Sequence, residues 1–139
     1  MFKNEKQFLA NMKKRLKDNA QKNVKRSMAK AVNLVRNEAV KSILLNPRTG
    51  PVVTRRGMKM NISAAGSPPA SDTGFLASQI SSEVETKGGQ VIGTIISAAP
   101  YSASLEFGTT KMPARPFLQP ALRSSKNKIE AIFKRQGII

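Results

Sequence analysis

Cysteine, histidine and tryptophan are all absent from the 139 residues. Without cysteine there is no disulfide framework, thiolate metal site or thiol nucleophile. Without histidine there is no His-dependent triad, no His metal site and no usual switch near neutral pH. Aromatic residues make up only 5%, and eight acidic residues stand against 24 Lys and Arg. Long apolar runs are missing as well. No stretch approaches the ~20 apolar residues of a membrane span, and the basic N-terminus lacks the apolar core of a signal peptide. The expected compartment is therefore the cytoplasm, with no membrane partner.

The scarcity of carboxylates also limits catalysis. Only Glu5, Asp18, Glu38, Asp72, Glu83, Glu85, Glu106 and Glu130 are available. Glu83 and Glu85 share a strand face, where exposed hairpin carboxylates are the common case. Asp72 reads as a helix cap, and Glu106 as the partner of a nearby arginine such as Arg115. A buried pair of that kind fixes geometry and is weak evidence for stability. The glycine pairs do not form a phosphate-cradling loop with its lysine. The sequence predicts no enzyme, no catalytic residue, no metal site and no cofactor.

What is present is positive charge, +16 in all. Residues 1–48 carry 13 basic and 3 acidic side chains, while residues 49–111 are nearly balanced with 5 and 4. Residues 112–139 add 6 basic and 1 acidic. Basic ends around a neutral middle favour acidic partners, whether nucleic acid or a negative protein surface.

A long amphipathic helix is expected over residues 5–45. Leu9, Met12, Leu16, Ala20, Val24, Met28, Ala31, Val35 and Ala39 recur at steps of three or four. Val32 and Leu34 widen the stripe, so the second half is the more deeply buried. Neither proline nor glycine interrupts it before Asn46-Pro47, where the residue ahead of proline leaves helical geometry. At ~1.5 Å per residue the helix is roughly 60 Å long, more than a compact domain of this size needs. Part of it should project or pack on another subunit, unless it breaks near Asn19–Asn23. Its basic face (Lys13, Lys14, Arg15, Lys17, Lys22, Lys25 and Arg26) reads as solvated or as a phosphate-binding surface.

Residues 47–71 read as loop or arm, with a short strand at Val52–Thr54. Pro68-Pro69 favours an extended path. Asp72 or Thr73 then caps a short helix running through Ile80. Ser81–Thr86 and Gln90–Ala98 form an antiparallel hairpin about Lys87-Gly88-Gly89. Its second strand is apolar on both faces, Val91 and Ile95 against Ile92 and Ile96, as in a sheet covered on both sides. One cover is the first helix; the other is the last helix or a neighbouring subunit.

The stretch from Tyr101 to Leu122 gathers Tyr101, Leu105, Phe107, Met112, Phe117, Leu118 and Leu122 with three prolines and one glycine. It predicts a short helix to Phe107, a turn at Gly108 with positive φ, an extended crossing, and a helix opened by Pro116. That last helix runs over 117–136, with Pro120 in its first turn and Gly137 as its stop.

This stretch also carries a resemblance. LEFGT (Leu105–Thr109) followed by PARPFLQPAL (Pro113–Leu122), with GSPPASDTGFLASQI (Gly66–Ile80) upstream, resembles the signature of a tailed-bacteriophage family. Its members are small virion proteins of the neck and tail top, called tail-component, tail-completion or minor tail protein Z-like. The two motifs stand in the expected order and cover about a third of the chain. The resemblance implies a structural virion protein acting as a ring, commonly six-fold to match the tail, that helps join the tail to the DNA-filled head. It implies head-closure, tail-terminator or tail-tube partners, and a location at the neck or tail top after assembly in the host cytoplasm. Contact with genomic DNA in the channel suits the basic faces as well as an acidic ring does. Phe75, Leu76, Leu105, Phe107, Arg115, Phe117 and Leu118 either meet other subunits or fill the subunit's own core.

The expected architecture is α+β, one domain over residues 1–139. A long basic helix (1–46) and an arm (47–71) precede residues 72–139, which hold a small antiparallel sheet and the C-terminal helix. A tail terminator is one alternative function. A basic protein binding nucleic acid without sequence preference is the other, although no zinc finger, helix-turn-helix or RNA-reading aromatic motif supports it.

Overall fold

A computed structural model describes residues 5–46, 50–69 and 74–138. Their order is α1 (Glu5–Leu44), β1 (Val52–Arg55), β2 (Met58–Asn61), α2 (Phe75–Ser78), β3 (Ile80–Lys87), β4 (Gln90–Ser97), α3 (Ser102–Phe107) and α4 (Leu118–Arg135). The fold is α+β, as the periodicity predicts. Among the described residues no helix is long and apolar enough to cross a membrane.

Forty residues without proline or glycine make α1 one unbroken helix, and it does not break near Asn19–Asn23. Its two halves differ. Ala31, Val32, Val35, Ala39 and Ile43 are buried, whereas from Glu5 to Arg26 only Asn11 and Val24 are even partly covered. The second half organises the rest of the fold. It packs on β3, β4 and α4, and Val35, Ala39 and Ile43 join Leu76, Ala77, Ile80, Ala99, Phe117 and Ala121 in one cluster. Full burial of a side chain such as Phe117 stabilises by about 2–3 kcal/mol. Arg36 Nε donates to Ile80 O at 2.9 Å, and Ser82 Oγ to Asn33 Oδ1 at 3.0 Å, so polar contacts also anchor β3 along the helix.

The strands form two separate hairpins, β1 with β2 and β3 with β4. In β3–β4, Ser81 faces Ile96, Glu83 faces Thr94 and Glu85 faces Ile92. Alternation then sends Ile80, Ser82, Gly93 and Ile95 inward toward α1, and Glu83, Glu85, Ile92 and Ile96 outward. Gly93 is where helix and sheet come closest. A Cβ there would overlap Val32 Cγ1 and lie 2.7 Å from Met28 Sδ. The β1–β2 hairpin has positive φ at both Arg56 (52°) and Gly57 (75°), which suits a tight two-residue turn.

Several expectations shift. The helix before β3 is a single turn, and Ile80 already belongs to the strand. Its N-cap is Gly74 at φ 77°, while Asp72 and Thr73 lie outside the described residues. Pro116 does not open α4. The cap position is Phe117 and the first helical residue Leu118, leaving Pro120 in the first turn. The loop is only partly an arm. Residues 62–69 are tied to the body by Asn46 Nδ2 to Pro68 O (2.5 Å) and Gly66 N to Ala114 O (2.9 Å). Among the described residues of the loop, β1 and β2 pair with each other as a separate hairpin.

Candidate assembly surfaces

The junction between α3 and α4 shows how the chain builds its surfaces. Gly108 ends α3 at φ 76°, and a side chain there would come within 2.8 Å of Ala114 N. Thr109 and Met112 then exchange backbone hydrogen bonds, with Thr109 N donating to Met112 O at 2.8 Å. The extended segment that follows is fixed by Arg115 N donating to Leu105 O at 2.6 Å.

Glu106 does not pair with Arg115. Its carboxylate accepts from the backbone N–H groups of Phe117 (2.9 Å), Leu118 (3.1 Å) and Gln119 (2.9 Å) at the start of α4. The physical reason is that the first amides of a helix have no internal acceptor and concentrate positive potential. A carboxylate satisfies both needs, and α4 has no acidic residue in its own first turn. Arg115 instead sends Nε to Ser63 O at 3.2 Å and is itself buried. It ties the tied-down loop to the junction. Nothing in the local sequence at Glu106 reveals this role, because donor and acceptor lie 11 to 13 residues apart.

The suspected interface residues divide into two sets. Phe117, Leu76 and Arg115 are buried within the chain, and Leu105 and Leu118 pack against the same core. Phe75 and Phe107 keep large exposed areas, 46% and 72%. Phe75 also meets Tyr101, with ring centroids 6.3 Å apart. Phe107 is thus the motif residue that the fold covers least.

Two larger surfaces stand out. The first is the projecting half of α1, where Phe8, Leu9, Met12 and Leu16 are 43–64% exposed. Lys13, Lys14, Arg15, Lys17, Lys22, Lys25 and Arg26 are all exposed on the same half, and an open depression is lined by Lys22, Lys25, Arg26 and Ala29. The second is the outer face of β3–β4. Since α4 lies along α1, with Lys128 Nζ 3.9 Å from Glu38 Oε1, it leaves Ile92 and Ile96 more than a third exposed. Among the described residues no cluster of His, Cys, Asp and Glu could hold a metal ion.

The site is thus a set of partly exposed apolar and basic surfaces on a small α+β body that carries a helix longer than itself. The family is shown directly: residues 6–108 match the family described as "Bacteriophage HK97-gp10, putative tail-component". The chain belongs to this HK97-gp10-like family, and is a structural tail protein of a bacteriophage. The matched span includes the upstream motif Gly66–Ile80 and ends at Gly108, so Pro113–Leu122 lies beyond it. No curated protein and no solved structure matches the chain.

Proposed function

We propose that this tail component is a ring-forming subunit of the neck or tail top, completing the tail and helping to join it to the DNA-filled head. The observation that carries this reading is the exposure of apolar side chains at two places on one small chain. Leu9, Met12 and Leu16 lie on the projecting half of α1 and, at more than a third exposed, Ile92 and Ile96 on the outer face of β3–β4. Exposed apolar patches of this kind mark sites of association. A ring needs two different faces on each subunit, head and tail, whose rotation closes. Six subunits would match the tail.

Phe75 and Phe107 then contribute to contacts between subunits or with a head-closure, tail-terminator or tail-tube neighbour. Leu76, Leu105, Arg115, Phe117 and Leu118 hold that surface in shape from beneath. The chain acts as a single domain in the virion, having been assembled in the host cytoplasm. Native mass spectrometry of the purified protein, alone and with tail tubes, tests the reading. A closed oligomer in either sample supports it; a monomer under both conditions overturns it.

One observation favours a second reading. The seven exposed cations on α1, three of them around one depression, suit phosphate contacts. A protein bound mainly through such contacts loses affinity steeply as salt rises. Salt-sensitive coating of duplex DNA by a chain that never closes into a ring would select nucleic-acid binding instead.

A further inference from the structure

The two uncovered surfaces are complementary to each other. On α1, Leu9, Met12 and Leu16 fall within about 60° of arc at 100° per residue. Lys6, Lys13 and Lys17 border this stripe on one side, and Arg15 and Lys22 on the other. From Glu5 to Arg26 the helix carries 8 basic and 2 acidic residues. On the hairpin, Ile92 and Ile96 stand beside Glu85 and Glu83 of the partner strand. Those two carboxylates make no ion pair within the chain among the described residues, and they project from an otherwise basic molecule. Dimensions agree as well. Leu9 to Leu16 spans about 10 Å along a helix, and Ile92 to Ile96 about 13 Å along a strand.

The contact cannot form within one chain. The second half of α1 is held against the inner face of the same hairpin, with Met28 and Val32 over Gly93. Because α1 is unbroken from Glu5 to Leu44, its first half continues past the sheet and does not return to the outer face. Pairing two α1 segments with each other would bring like charges together. Nucleic acid would leave the leucines and Met12 in water.

We propose that the N-terminal half of α1 from one copy lies across the outer face of β3–β4 of the next copy. Leu9, Met12 and Leu16 cover Ile92 and Ile96, while Lys13, Lys17 and Arg15 meet Glu83 and Glu85. The contact is head-to-tail, so it propagates until it closes. It rests on the homo-oligomeric reading above and names the surfaces that make it.

The absence of cysteine makes thiol cross-linking a clean test, because introduced thiols are the only ones. A Met12→Cys chain is mixed with an Ile96→Cys chain and oxidised, with a Met58→Cys chain as the off-site control. Far-ultraviolet circular dichroism verifies that each variant is folded. The expected product is a mixed covalent dimer of Met12→Cys with Ile96→Cys, at least about tenfold over the Met12→Cys and Met58→Cys mixture. Charge reversal is the second arm. Glu83→Lys with Glu85→Lys should weaken oligomer formation by about tenfold or more, and Lys13→Glu with Lys17→Glu in the same chain should restore it. A native oligomer that neither cross-links here nor responds to charge reversal overturns this interface and leaves the ring intact. A wild-type chain that stays monomeric at every concentration, alone and with tail tubes, overturns both.

Discussion

Three hydrogen bonds fix the Glu106 side chain at the start of α4. Its two carboxylate oxygens serve three successive backbone amides of α4, and no side chain in the helix substitutes for it, since Phe117 at the cap makes no side-chain hydrogen bond. Losing a helix cap of this kind costs about 0.5–2 kcal/mol. Glu106→Ala should therefore lower stability by about 1–2 kcal/mol, and Glu106→Gln by less, because one amide oxygen still accepts. Urea denaturation followed by circular dichroism measures both; an unchanged midpoint for Glu106→Ala would show that water replaces the carboxylate without loss. Gly108 illustrates the opposite case. Its positive φ is legible from its place after an apolar run, since a left-handed turn there admits few other residues.

At the scale of elements, the helices and the main hairpin are legible because each has a strong local period or a breaker at its ends. The expected helix over 5–45 is α1, and the expected last helix over 117–136 is α4 to within a residue. The hairpin about Gly88-Gly89 follows from two apolar runs separated by a glycine turn. The short elements are less legible. One turn of helix at Phe75–Ser78 is too brief for a period, so Ile80 reads as its continuation when it is the first residue of β3. Packing of α1 on the sheet turns on Gly93, whose local sequence shows only a gap in an apolar strand. Gly93→Ala would press a methyl group into Val32 and Met28 and should destabilise by about 1–3 kcal/mol. Chemical denaturation tests this. A neutral result would mean that Met28 moves aside freely, and that helix and sheet are not held at a fixed distance there.

For the whole molecule, the decisive feature is the mismatch between α1 and the body it supports. A 40-residue helix is ~60 Å long, whereas a compact chain of this length is about 35–40 Å across. The excess half carries much of the positive charge, and the β1–β2 hairpin extends from another part of the body with Val52 and Met58 exposed. Hairpins of two short strands are marginal by themselves. Limited proteolysis should cut the free subunit within residues 52–61 and leave the same site intact in assembled virions. Equal cleavage in both would show that the hairpin takes no part in assembly.

The sequence alone determined the class of the protein. The unbroken helical period and the glycine-turned hairpin point to α+β, and the lack of Cys and His and the few carboxylates limit its chemistry. The phage family enters through the resemblance of two motifs in order. Each is a local or compositional property. Tertiary structure decided where those residues face. Only the folded chain gives Glu106 to the amides of α4 and Arg115 to Ser63, and lays α4 on α1 so that Ile92 and Ile96 stay more than a third exposed. Those outcomes depend on contacts between residues distant in sequence, to which periodicity and propensity are blind.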